Sequence, residues 1–169
     1  MRGMRVGVLP ASSYYQLDGD VSSVVRAALD VLISLGAELV ELDARIFAHI
    51  LGTFAPIQQA EAFFVHHSRG LFPARRSEYG DDVRERLELS QSVMLADYLT
   101  ATTARDRLAA DLRTIFGTVD VLLTPLGAAR APALANLSDG DSSAAFRKLM
   151  LSHTVPQSLA GIPCCAVRA

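Results

Sequence analysis

The stretch YGDDVRERLELSQSVMLADYLTATTARDRLAADLRTIFGTVDVLLTP (residues 79–125) carries the longest internally consistent pattern in the chain. It reads as helix, helix, strand. After Gly80, Asp81 or Asp82 can cap a short helix that turns Val83 and Leu87 inward and Arg84, Glu85, Arg86 and Glu88 outward. From about residue 95 to 116, Leu95, Tyr98, Leu99, Leu108, Leu112, Ile115 and Phe116 recur mostly at three- and four-residue spacing, which is one stripe of an α-helix. Gly117 ends it. The run DVLLTP (residues 120–125) is a short apolar segment stopped by proline, the pattern of a buried strand that delivers a loop at its carboxyl end.

Toward the N-terminus, residues 5–43 read as strand, helix, strand. RVGVLP (5–10) is a strand ended by proline, and Asp20 caps a helix whose inward positions are Val21, Val24, Val25, Ala28, Leu29, Leu32 and Ile33. Gly36 stands where a left-handed C-terminal cap is wanted, and ELVELD (38–43) alternates apolar and acidic residues. Short links between these pieces predict a βαβ unit with parallel strands. The loop at residues 11–19 has no Gly-x-Gly-x-x-Gly, which argues against a dinucleotide. Residues 45–117 are read as helical, with Ile46, Phe47, Ile50, Leu51, Phe54, Phe63 and Phe64 on an apolar face and Pro56 breaking or kinking it. His49, His66 and His67 make no i, i+4 pair, so they read as surface or partly buried histidines and no metal site is expected.

Downstream of Pro125, residues 126–143 are small and rich in turn formers, and a flexible surface loop is expected there. Residues 144–152 suit a short helix, and residues 163–169 a last strand. That strand holds the two cysteines, Cys164 and Cys165, which as strand neighbours point to opposite faces and are read as buried, unbridged thiols. The fold class that follows is α/β, a mixed sheet with flanking helices and an N-terminal βαβ unit, in one domain over residues 1–169.

Half of the residues are hydrophobic and one fifth charged, with a mean hydropathy of +0.26, which predicts apolar surface left uncovered. The net charge of −2 and the single lysine, Lys148, give no electrostatic footprint for nucleic acid or an anionic membrane. No signal-like or membrane-spanning apolar run stands out, and a cytoplasmic location is expected.

Together these residues resemble the later part of the amidase signature family. Its members carry, downstream of their nucleophile, a Tyr-Gly turn, an Arg-Leu helix, a Tyr-Leu-x-Ala-x-x-x-Arg helix and Asp-Val-Leu-Leu-Thr-Pro. The counterparts are Tyr79-Gly80, Arg86-Leu87, Tyr98-Leu99 with Ala101 and Arg105, and residues 120–125. MRVGVLP (4–10) and TVPQSLAGIPCCAV (154–167) are similar to flanking family segments, the second to Thr-x-Pro-x-x-Leu-x-Gly-Leu-Pro-Ala-x-Ser-Val. Leu126 stands where a second threonine is common, and Pro156-Gln157-Ser158 where Pro-Phe-Asn is usual.

The resemblance implies an amide (C–N) hydrolase that needs no cofactor, acting through a serine, a second serine on a cis peptide and a lysine. The Gly/Ser-rich segment that carries those serines in the family is absent from these residues. Ser12 and Ser13 lack the flanking glycines that would present N–H groups to an oxyanion, and Lys148 falls on an amphipathic helix as a solvated lysine. No catalytic residue is therefore assigned, and the isolated chain is expected to be inactive. What the family likeness suggests is a share of the sheet and one wall of a substrate pocket, with Thr124, Pro125, His153, Thr154 and Gly161 as wall candidates. The partners implied are a small amide substrate and either a complementing amidase chain or a second copy. Two alternatives stay open: a truncated, inactive relative, and an independent binding or assembly domain. A Gly/Ser-rich segment encoded upstream would favour the first reading over both.

Overall fold

The computed structural model describes residues 1–10, 17–47, 50–133 and 140–168. They form two compact units, one of Met1–Ile50 with Leu108–Ala169 and one of Leu51–Arg107. The first holds a three-stranded parallel sheet in the order β2-β1-β3, made of β1 (Arg5–Val8), β2 (Glu38–Glu41) and β3 (Val121–Leu123). Register runs Val6 opposite Leu39 on one side and Val121 on the other. The central strand is the best covered, Val6 being 1% exposed, as a parallel strand flanked on both edges requires. Arg5 closes the amino end of the sheet. Its main-chain N–H donates to Asp120 Oδ2 at 2.7 Å and its guanidinium pairs with Oδ1 at 3.1 Å, while the Asp120 N–H donates to the Arg5 carbonyl at 2.8 Å.

Between β1 and β2 runs α1 (Gly19–Ser34), capped by Asp18, whose side chain accepts the Asp20 N–H at 2.9 Å. The cap thus stands two residues before the aspartate expected to supply it. The end is as the sequence predicts: Gly36 sits at φ +85°, and the Ala37 N–H reaches back to the Leu32 carbonyl at 3.0 Å. The inward face is shallower than its pattern suggests. Val21, Val25, Ala28, Leu29 and Leu32 are half-buried, but Val24 and Ile33 are largely exposed, because a three-stranded sheet covers only part of the stripe.

In the second unit α2 (Ile50–Ser68) passes through Pro56 without ending, followed by α3 (Asp81–Ser90) and α4 (Leu95–Ile115), whose last turns belong to the first unit. Neither Asp81 nor Asp82 caps α3. Gly80 takes the cap position, and the two aspartates lie in the first turn, where they face the positive helix end and pair with Arg84 and Arg86. Phe72, 2% exposed, centres an aromatic cluster, its ring edge-on to Phe63 at 6.3 Å and to Tyr79 at 5.9 Å. His66 is half-buried there with Nδ1 2.8 Å from the Tyr79 hydroxyl, and His67 is exposed and stacked on Phe63. His49 lies outside the described residues.

The C-terminal third departs most from expectation. A single helix, α5 (Gly140–Ala160), replaces the tail of the expected loop and the short helix, and it runs on through Pro156. Burial explains this: Ser152, His153, Val155 and Pro156 are all buried, and that packing outweighs the lost hydrogen bond to the Ser152 carbonyl. Gly161 at φ +69° ends the helix, with the Ile162 N–H on the Gln157 carbonyl at 3.1 Å. Residues 163–168 form no strand, and Cys164 and Cys165 are free and exposed, not buried. No neighbouring strand covers them among the described residues.

Candidate functional site

In α/β folds the carboxyl ends of parallel strands are where loops diverge and ligands collect. Here β1 leaves the sheet through Leu9 and β3 through Thr124 and Pro125. Leu9, Leu123, Pro125 and His153 meet Leu17, Val25 and Leu29 around a cavity of about 30 Å³ that Val8 completes. It has room for a water molecule and not for a substrate. The lining is aliphatic except for the imidazole of His153.

That imidazole is 3% exposed, and burial pushes its pKa below the ordinary 6.5, so the ring is neutral at pH 7. One turn further along α5, the Gln157 amide lies 3.2 Å from the Thr124 hydroxyl. With its oxygen toward Thr124, the amide nitrogen donates to the carbonyls of His153 at 3.0 Å and Thr154 at 3.2 Å. One side chain thereby ties the end of β3 to the turn of α5 that presents His153. Two further contacts pin the loops above the sheet: the Asp18 N–H donates to the Ala128 carbonyl at 2.7 Å, and Arg130 pairs with Asp20 at 3.0 Å.

Of the five wall candidates, Pro125 and His153 line the cavity, and Thr124 adjoins it through Gln157. Thr154 is half-buried on α5, its carbonyl accepting from the Ser158 hydroxyl at 3.1 Å, and Gly161 serves as the end of that helix; neither lines the cavity. In the sequence Gln157 stands out only as part of the departure from the family's Pro-Phe-Asn, with no contact assigned to it. Its i, i+4 relation to His153 would have been the signal, had residues 153–160 been read as helix. Ser12 and Ser13 lie outside the described residues, Lys148 is exposed on α5, and the buried Ser152 hydroxyl donates to the Leu149 carbonyl at 2.8 Å.

The amidase family model matches residues 1–169, the whole chain. The chain is a member of the amidase signature family. Among relatives, an amidase of Pseudomonas putida is 34% identical over 125 residues, covering 74% of this chain and 26% of its own length. A glutamyl-tRNA(Gln) amidotransferase subunit of Synechococcus sp. (strain CC9902) is 31% identical over an alignment of 191 residues, covering 99% of this chain and 38% of its own. The fold agrees as well. A crystal structure of an amidase superposes with a TM-score of 0.80 at 22% identity, over 99% of this chain and 39% of the other. The corresponding glutamyl-tRNA(Gln) amidotransferase subunit of Thermotoga maritima gives 0.71 at 23% identity, over 98% and 36%. The chain thus spans less than two fifths of the length of these amidase-family proteins.

Proposed function

We propose that this chain supplies part of the sheet and one wall of the substrate pocket of an amide (C–N) hydrolase, whose catalytic serines and lysine lie in amidase sequence outside these residues. Membership of the family supports the reaction class. The observation that carries the structural role is the placement of Pro125 and the neutral His153 together at the carboxyl end of the sheet, with Thr124 held beside them by Gln157. An aliphatic wall with few polar atoms suits the apolar part of a small amide. The chemistry itself needs a nucleophile and a base, and the cavity lining offers no hydroxyl, thiol or amine.

A completing polypeptide or segment is the partner this reading requires. That several relatives are named as amidotransferase subunits fits an amidase chain that works with others. Among the described residues no helix is long and apolar enough to cross a membrane. The test is an assay of the isolated chain against a panel of simple carboxamides, then again with a polypeptide carrying the family's Gly/Ser segment. Hydrolysis is expected only in the second case. Activity of the isolated chain that survives repurification and Lys148→Ala would overturn the proposal.

A further inference from the structure

In the unit of Leu51–Arg107 a groove of about 410 Å³ lies along α2 and α4, lined by Gly52, Thr53, Pro56 and Gln59 and by Ser92, Val93, Asp97, Thr100, Ala101 and Ala104. Its volume falls in the range of small-ligand sites, and the only charged side chain in its lining is acidic, beside the amide of Gln59 and the hydroxyls of Thr53, Ser92 and Thr100. Pro56 has no N–H, so the Gly52 carbonyl one turn earlier lacks its helical donor. The Thr100 hydroxyl donates to the Ala96 carbonyl at 2.8 Å and the Ser92 hydroxyl to the Leu89 carbonyl at 2.7 Å, which commits both protons and leaves the two oxygens as acceptors. Asp97 adds a carboxylate that pairs with no arginine or lysine among the described residues. No basic side chain lines the groove. Ala101 and Ala104 keep the floor low between the polar groups.

We infer that this groove binds a small organic cation through its N–H donors, a primary ammonium or a guanidinium, with Asp97 as the counter-charge and the Gly52 carbonyl and the Thr100 and Ser92 oxygens as acceptors. Such binding is independent of the amide-hydrolase reading, since no residue of the groove belongs to the sheet or its cavity. Because Asp97 is exposed, the charge adds selectivity more than strength, and removing it costs about fivefold in affinity.

Three probes of equal length separate charge from shape: n-butylammonium, butyramide and butyrate, titrated into the isotopically labelled full chain. Butylammonium is expected to shift the amide resonances of Val93, Ala101 and Ala104, butyramide to do so more weakly, and butyrate not at all. Asp97→Asn should weaken butylammonium about fivefold and leave butyramide unchanged. Pro56→Ala, which returns an N–H to the Gly52 carbonyl, should weaken both while preserving helix content by circular dichroism. Equal binding of butylammonium and butyramide, an unchanged response in a folded Asp97→Asn chain, or no shift at tens of millimolar probe would each overturn the assignment.

Discussion

Single residues in the sheet unit differ sharply in how much change they tolerate, and two glycines show why. A methyl group built on Gly7, in the central strand, would come within 2.7 Å of Leu42 Cδ1 and 3.3 Å of both methyls of Val119. Val119 is 1% exposed and stiff at Cβ, so it cannot give way. On Gly127 the added methyl meets only the far end of Met150, which can turn aside. Gly7→Ala is therefore expected to destabilise by about 1–3 kcal/mol and Gly127→Ala by less than about 1, as denaturant midpoints at constant m-value would show. His153 gives a pH signature. Its folded pKa is depressed by burial, so above the unfolded value of 6.5 both states are neutral and stability is complete. As pH falls below 6.5 the unfolded chain takes up the proton first, and stability drops by at most about 1.4 kcal/mol per pH unit until the folded pKa is reached. Melting temperatures of the native chain and of His153→Gln, compared across that window, should show a flatter profile in the variant.

At the scale of elements, what was legible is what local rules decide. The β1-α1-β2 unit, β3 and α4 announce themselves through apolar period, a terminal glycine and a proline stop, and each lies where its pattern put it, although β3, read as a buried strand, is an edge strand with Val121 40% exposed. The caps did not, because Asp18 and Asp20, like Gly80 and Asp81, are near-equivalent choices that backbone entry angle settles. The larger miss, α5, has one cause. Pro156 reads locally as a stop, and only the burial of the residues around it, which sequence does not display, carries the helix onward. With that helix unread, Gln157 could not be placed beside Thr124. Segment 163–168 erred the other way: its strand-like composition found no partner to pair with. Pro156→Ala tests the balance. Relief of a helix-interior proline is worth about 3 kcal/mol, a figure that already contains the freer unfolded chain, against about 1.6 for the two buried carbons lost. A net stabilisation of about 1 kcal/mol is expected, seen as a rise of a few degrees in the melting temperature. A fall would mean that the buried proline packs too well to replace.

For the whole molecule the open question is what covers its apolar surface. Both β2 and β3 are edge strands, and they are unequal: β2 carries exposed Glu38 and Glu41, charges that discourage pairing, while β3 offers Val121, Leu122 and Leu123 with none. Val31, Leu35 and Leu126 in the sheet unit, and Phe64, Met94 and Leu95 in the helical unit, are each more than half exposed. Covering about 300 Å² of such surface at about 25 cal/mol per Å² yields ~7 kcal/mol, set against an association cost of about 4–15 kcal/mol. The balance is close, so the chain alone is expected to associate weakly and reversibly at high micromolar concentration. Sedimentation equilibrium over a concentration series measures this, and Val121→Lys separates the candidate surfaces, since a lysine on the β3 edge should return the chain to monomer if edge pairing dominates. Unchanged association in that variant would place the contact on the exposed helix faces instead. A monomer at all concentrations that binds no hydrophobic dye would mean that these side chains are too scattered to act as one patch, and the independent-domain reading would then gain over a chain awaiting its complement.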